Sequence, residues 1–208
     1  MAEIKKKDFP EVLICENFIL DKISETQLEE RFDVISENKE YLSEFANNPK
    51  ADYSIEYEDD YIKRCLAEWE DRTRFEYSVF NEEDFIIGGI SVICHNQKFA
   101  KYELSYWIIP SYESKGVTTK IVKTVVDFLF EEPCVADKVV VKIVVGNIKS
   151  AKVALKNDFL LEAKHYDELV TKKGLTDSFC FVKLKDKEKR KELENIQDSL
   201  KSIYDVKF

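Results

Sequence analysis

The chain has 208 residues, 44% hydrophobic and 12% aromatic, which suits one sizeable core, or a domain with an appendage, and excludes a disordered or fibrous chain. With 41 acidic against 32 basic residues the net charge is −9, which argues against a wholly basic nucleic-acid-binding surface; it suits an amine partner, although solubility is the favoured explanation. No apolar run approaches the roughly 18 residues that span a bilayer and the opening MAEIKKKDFPE lacks a signal-peptide core, so no membrane partner is expected and the expected location is the cytoplasm.

Residues 1–11 read as a loose leader. Residues 16–23 alternate weakly around Phe18 and Leu20 as a first strand. Residues 24–27, SETQ, have capping-box spacing, and Leu28, Phe32 and Ile35 then recur at helical intervals up to Asn38. Tyr41, Leu42 and Phe45 form a short apolar face before the breaker Asn47-Asn48-Pro49. The acidic run 56–60 is expected to be exposed at the start of a helix that carries Ile62, Cys65, Leu66 and Trp69 on one face. Residues 75–80 and 85–93 make a hairpin about the polar turn 81–84, and Gly88-Gly89 inside its second strand predicts a bulge or a close backbone approach.

Residues 102–130 organise the rest. An apolar strand, 104–109, runs into Pro110 and a polar loop whose one glycine is Gly116. A helix follows with Ile121, Val122, Val125, Val126 and Leu129 on one face. Strand, glycine-bearing turn and helix start make a phosphate site, because unpaired N–H groups and the helix dipole both favour negative charge there. After a connection at 133–137, the valine-rich run 138–145 reads as a strand buried on both faces. Asn147 caps a short helix carrying Ala151, Ala154 and Leu155. Residues 159–164 and 178–184 are two strands joined through Lys172-Lys173-Gly174. From 185 on, charge alternates around Leu193, Ile196, Leu200 and Ile203, an amphipathic helix expected to pack on its own domain.

Cys15, Cys65, Cys94, Cys134 and Cys180 are odd in number and lack CxxC spacing, as free thiols of a reducing compartment would be. With only His95 and His165 beside them there is no zinc spacing, and no metal is expected.

Four phrases, in order, carry a family resemblance: Ile87-Gly88-Gly89-Ile90; Tyr102-Glu103-Leu104-Ser105-Tyr106-Trp107-Ile108; residues 111–119; and Asn147-Ile148-Lys149-Ser150 followed by Leu155-Lys156-Asn157-Asp158-Phe159. Across residues 18–184 the chain resembles the GNAT acyltransferases of the RimJ/RimL type. That resemblance implies an α/β fold of the GNAT kind: a mixed twisted sheet of about 6–7 strands flanked by helices, with core 16–184 and 185–208 an extra helix of the same single domain. It implies acetyl transfer from acetyl-CoA to a primary amine, in the first place a protein N-terminal α-amine, by direct attack on the thioester. A non-catalytic binding protein of the same fold and a polyamine or small-molecule acetyltransferase stay open, as does a homodimer.

Site residues follow from the resemblance. Ser114, Lys115, Gly116, Val117, Thr118 and Thr119 are expected to hold the pyrophosphate. The main chain of Trp107, Ile108 and Ile109 is expected to pair with the pantetheine arm and polarise the thioester carbonyl. Asn147 would bond that arm and Ser150 the leaving thiolate. Glu103 is expected near the acceptor amine as base or holding charge, and Glu56, Glu58, Asp59 and Asp60 would flank the acceptor groove. The chain departs from the family at Glu113, where Arg or Gln is usual, and at Thr118, where Gly or Ala is usual. Ser114 and Asp158 replace common glycines, and Ala154 stands where many members carry a tyrosine.

Overall fold

Among the described residues, eight strands join in one sheet of order β1-β2-β3-β4-β5-β6-β8-β7. The computed structural model describes residues 8–45, 52–96, 100–131 and 135–204, the side chains of Asn96 and of 199–204 excepted. Antiparallel neighbours run from β1 (Val12–Cys15) through β2 (Phe18–Lys22), β3 (Arg74–Phe80) and β4 (Ile86–Asn96) to β5 (Lys101–Ile108). β5 pairs in parallel with β6 (Lys138–Val144), which pairs antiparallel with β8 (Gly174–Leu184), and β8 with β7 (Leu160–Thr171). The helices are α1 (Leu28–Glu37), α2 (Lys39–Leu42), α3 (Ile55–Glu70), α4 (Val117–Phe130), α5 (Ile148–Lys156) and α6 (Lys187–Tyr204).

The sheet has one strand more than the 6–7 expected, because β1 lies between the leader (1–11) and the first expected strand (16–23), in residues with no expected element. Val12 and Ile14 face out and Leu13 and Cys15 face in, but all four are apolar and sit on a free edge, with Ile14 74% exposed, so no polar–apolar alternation marks them as a strand. The leader is also packed from residue 8 on. Phe9 stacks on Phe75 with ring centroids 3.5 Å apart, and the Tyr77 hydroxyl donates to the Pro10 carbonyl at 2.7 Å. The capping box does not form. Ser24 makes no cap bond and its hydroxyl pairs with Thr26 at 2.9 Å, while the Gln27 side chain turns inward and donates to Asp21 at 3.1 Å. Residues 1–7, the breaker at 47–49, Cys134 and the side chains of Leu200 and Ile203 lie outside the described residues.

The apolar face read on α4 is buried as expected: Ile121, Val122, Val125, Val126 and Leu129 join one core with residues of β3, β4, β5 and β6. At about 1.5–3 kcal/mol for each side chain fully buried, that face fixes the helix and with it the position of Gly116. Both predicted features occur, the bulge at Ile87 beside Gly88 and the close approach at Gly88 and Gly89 themselves. The β3–β4 register shifts at Val79/Phe80. A Cβ on Gly88 would lie 2.5 Å from the Trp107 carbonyl oxygen, and one on Gly89 would lie 2.6 Å from the Trp107 indole nitrogen. At the far end, Leu193 of α6 packs against Val140, Cys180 and Val182, so α6 does lie on its own sheet.

One feature of the sheet makes the site. β5 and β6 pair only from Lys101 to Glu103 against Lys138 to Val140. Beyond that, β5 keeps only β4 and β6 keeps only β8, so the two strands part into a wedge.

Candidate active site

The wedge opens onto the start of α4. Gly116 caps that helix at φ +79°, a left-handed conformation that suits glycine, and no side chain caps it. The first bond across the cap runs from Lys120 N to Gly116 O at 3.1 Å, so the N–H groups of Val117, Thr118 and Thr119 have no acceptor within the helix. A Cβ on Gly116 would meet nothing within 4 Å, so the cradle is open. The cleft, about 710 Å³, is lined here by Trp107, Ile108, Ser114, Gly116, Val117, Thr118 and Thr119, and across the wedge by Asn147 and Ser150. Two expected members stand aside. Ile109 packs on the core and donates its N–H to the Ile87 carbonyl at 2.9 Å, and the Lys115 ammonium lies 5.2 Å from the Tyr112 ring centroid.

Asn147 is committed to the helix it caps: its side-chain oxygen accepts from the Ser150 N–H at 3.1 Å. The Ser150 carbonyl accepts from the Tyr106 hydroxyl at 3.3 Å. Burial raises the Tyr106 phenol well above its ordinary value, so the hydroxyl keeps its proton. Lys149, Lys152 and Lys156 line the same wall, a basic edge facing the α4 cradle. Sequence reasoning missed these lysines, although their spacing of three and four along one helix face was there to be read.

Glu113 does not fill the cradle. Its carboxylate accepts from the Tyr41 hydroxyl of α2 at 2.5 Å and from the Lys149 ammonium of α5 at 2.6 Å. Burial raises its carboxyl, but the bonds from Lys149 and Tyr41 outweigh that and hold it below the ordinary value. The residue that departs most in charge from the family pattern is thus neutralised by a lysine of this chain.

The other end of the cleft is walled by α1, α3 and the middle of β3 and β4, through Arg31, Glu58, Tyr61, Arg74, Glu76 and Ser91. Arg31 is 1% exposed. Its Nε donates to Glu58 at 2.7 Å and its Nη1 to Ser78 at 2.8 Å. Tyr53 donates to the other oxygen of Glu58 at 2.8 Å. Burial works to lower the Arg31 value, yet Glu58 and Glu76 keep the guanidinium charged and raise it overall. Glu58 is therefore not exposed as expected but 2% exposed, because α3 turns that side of its first turn onto α1. Glu76, 1% exposed, accepts from the Ser91 hydroxyl and lies 4.0 Å from Arg74. Burial pushes its carboxyl above the ordinary range, against Arg31, Ser91 and Arg74. Sequence reasoning missed Arg31, Arg74 and Glu76.

Glu103, expected beside the acceptor, does not line the cleft. It sits where β5 is still paired with β6, opposite Val140; its carboxylate lies 2.7 Å from His95 Nε2 and 3.9 Å from Lys142. Among the described residues no group of three or more His, Cys, Asp or Glu is placed to hold a metal.

Comparisons with known proteins agree with this geometry. The chain matches the acetyltransferase (GNAT) domain family over residues 17–160. It is 29% identical over 147 residues to YdaF of Bacillus subtilis (strain 168), to which a ribosomal N-acetyltransferase activity is ascribed, covering 66% of this chain and 74% of that one. Among solved structures, the fold is shared with RimL, a ribosomal L7/L12 α-N-protein acetyltransferase in complex with coenzyme A. The TM-score is 0.78 at 16% identity, covering 84% of this chain and 98% of RimL. It is shared too with the ribosomal-protein-S5-alanine acetyltransferase of Vibrio fischeri, at TM-score 0.76 and 18% identity over 84% of this chain and 97% of that one. With the wedge, the capless α4 and the open Gly116 cradle all in place for the donor, the chain belongs to the GNAT acetyltransferase family and is an acetyl-CoA-dependent N-acetyltransferase.

Proposed function

We propose that the acceptor is the α-amine at a protein N-terminus. The observation that carries this reading is the charge balance of the acceptor wall. Its two buried carboxylates face two guanidinium groups: Glu58 is paired with Arg31, and Glu76 lies between Arg31 and Arg74. A polyamine brings several positive charges and needs carboxylates left unmatched, whereas a single amine does not. An α-amine, with an ordinary pKa near 8 against about 10.4 for lysine, also needs little help to be neutral at physiological pH. Tyr41, Leu42 and Phe45 line the cleft beside that wall and offer an apolar seat for a peptide side chain. The names of YdaF and of the two solved relatives point to the same acceptor class.

On this reading the residues of 1–208 work as one domain, with α6 appended. The N–H groups opening α4 at Val117–Thr119, the Ser114–Gly116 turn and two α5 lysines, Lys152 and Lys156, hold the diphosphate of acetyl-CoA, while Lys149 is occupied by Glu113. The free β5 edge at Trp107–Ile108 takes the pantetheine arm and orients the thioester carbonyl. Ser150, across the wedge, is the group placed to hydrogen-bond the leaving sulfur, with the Tyr106 hydroxyl behind it. We assign no base role to Glu103, which is bonded away from the cleft. Among the described residues no helix is long and apolar enough to cross a membrane.

The test is release of free thiol from acetyl-CoA with tetrapeptide amides starting in serine, alanine or methionine, set against spermidine. Turnover of at least one peptide with spermidine inert is expected. Turnover of spermidine with every peptide inert overturns the acceptor assignment.

A further inference from the structure

We propose that Glu76 receives the acceptor amine and takes its proton during transfer. The inference rests on the acyl-transfer reading but not on which amine is the acceptor. Glu76, Ser91 and Ser105 are register partners across β3, β4 and β5, so their side chains rise from the same face of the sheet. Ser105 lies just past the point where β5 leaves β6, at the mouth of the wedge. Neighbouring strands are about 4.8 Å apart. A carboxylate that reaches Ser91 from β3 is therefore about one strand spacing from β5, where an amine above Ser105 would meet a thioester held on the β5 edge.

Two nearby carboxylates do not compete for this role. Glu58 is bonded to both Arg31 and Tyr53, and Glu103 lies below the parting. Glu76 accepts from Ser91 and from Tyr61, while Arg74 stands off at 4.0 Å; a carboxylate offers about four acceptor sites, so its oxygens keep capacity for a further donor from the cleft. Burial strengthens it as a base, since a carboxylate held above its ordinary range takes a proton more readily. The step balances without another reactant. The nitrogen lone pair forms the C–N bond, the C–S bond breaks, and its electron pair leaves with the sulfur, which is protonated from water. The proton shed by nitrogen passes to Glu76 and from there to solvent.

Two measurements test this. The first uses protein carrying 13C-labelled glutamate carboxyl carbons and saturated with CoA, with the Glu76 signal assigned by its loss in Glu76→Gln. That signal is expected to shift on adding alanyl tetrapeptide amide, glycinamide or spermidine, whichever amine binds; a signal unmoved by all three overturns the proposal. The second is kinetic. Glu76→Gln is expected to lower kcat/KM by roughly 100-fold or more, mostly in kcat, with CoA affinity within about twofold of wild type. Should that variant fold poorly beside Arg31, Arg74, Tyr61, Cys65 and the paired Glu58, Ser91→Ala supplies the readout. It removes the bond that lowers the Glu76 value, so the acidic limb of the kcat/KM profile moves to higher pH. Wild-type kinetics in Glu76→Gln, or an unmoved limb in Ser91→Ala, also overturns the assignment. Spermidine turnover that depends on Glu76 would sink the peptide acceptor and leave Glu76 in place.

Discussion

The donor and acceptor ends of the cleft are built in opposite ways. The donor end is made of main chain: a β5 edge that has left β6, and helix N–H groups behind Gly116. The acceptor end is made of side chains brought together from afar, with Arg31 bonded to Glu58 27 residues on and to Ser78 47 residues on. A main-chain site tolerates changes of side chain so long as the backbone keeps its path. Ser114 and Asp158 show this: they replace common glycines yet hold φ +59° and +60°, the left-handed region those glycines suit. A buried side-chain network has no such tolerance, because removing one charge strands its partner.

The largest expected effect therefore lies at the acceptor end. Arg31→Ala leaves Glu58 buried without its cation and is expected to cost about 3–5 kcal/mol, read from the urea midpoint at constant slope. Arg31→Met, which fills the space but also strands Glu58, should do little better unless it is combined with Glu58→Gln. A loss below about 1 kcal/mol for Arg31→Ala would mean that the pair does not hold α1 to α3.

The donor end breaks through its backbone instead. Gly88→Ala places a Cβ 2.5 Å from the Trp107 carbonyl oxygen, and backbone cannot swing aside. The expected cost is about 1–3 kcal/mol, with weaker CoA binding because the Trp107–Ile108 wall must shift. Gly89→Ala meets the Trp107 indole, a side chain at the cleft wall, at 2.6 Å and backbone, the Tyr77 carbonyl oxygen, only at 3.3 Å. It should be the milder of the two in melting temperature and in CoA titration; the reverse order would show that the ring, not the strand path, shapes the wall.

The same contrast explains what the sequence revealed. The donor end was legible because its signals are local: a glycine before an apolar helix stripe, and an Asn-x-x-Ser at a helix start. The acceptor end was not. Glu58 sat in an acidic run that looks solvated, and Arg31 between Glu30 and Phe32 looks like an ordinary helix cation. Glu76, in the alternation Phe75-Glu76-Tyr77, looks like an outward strand position. α3 packs on β3 and α1 on the neighbouring β4, so the residue is buried on a side that alternation alone marks as exposed. Glu103 falls outside the cleft lining for a related reason. Its motif locates it on β5, but only the β5–β6 register says that it falls before the strands part.

The smallest effect sharpens the comparison most, because it lies where the two constructions meet. Glu113 puts a negative charge beside a cradle meant for a diphosphate, and at about 4 Å with an effective dielectric near 20 two such charges would repel by about 4 kcal/mol. Lys149 at 2.6 Å cancels most of that field. Glu113→Gln alone should then change CoA affinity by no more than about twofold, whereas Lys149→Ala uncovers the carboxylate and should weaken CoA by roughly tenfold, about 1.4 kcal/mol, less in high salt. Adding Glu113→Gln to Lys149→Ala should restore most of the loss. That recovery separates neutralisation from direct binding: a lysine that mainly contacts the phosphates would leave the double variant as weak as Lys149→Ala, and the pair would then be two independent residues that happen to touch.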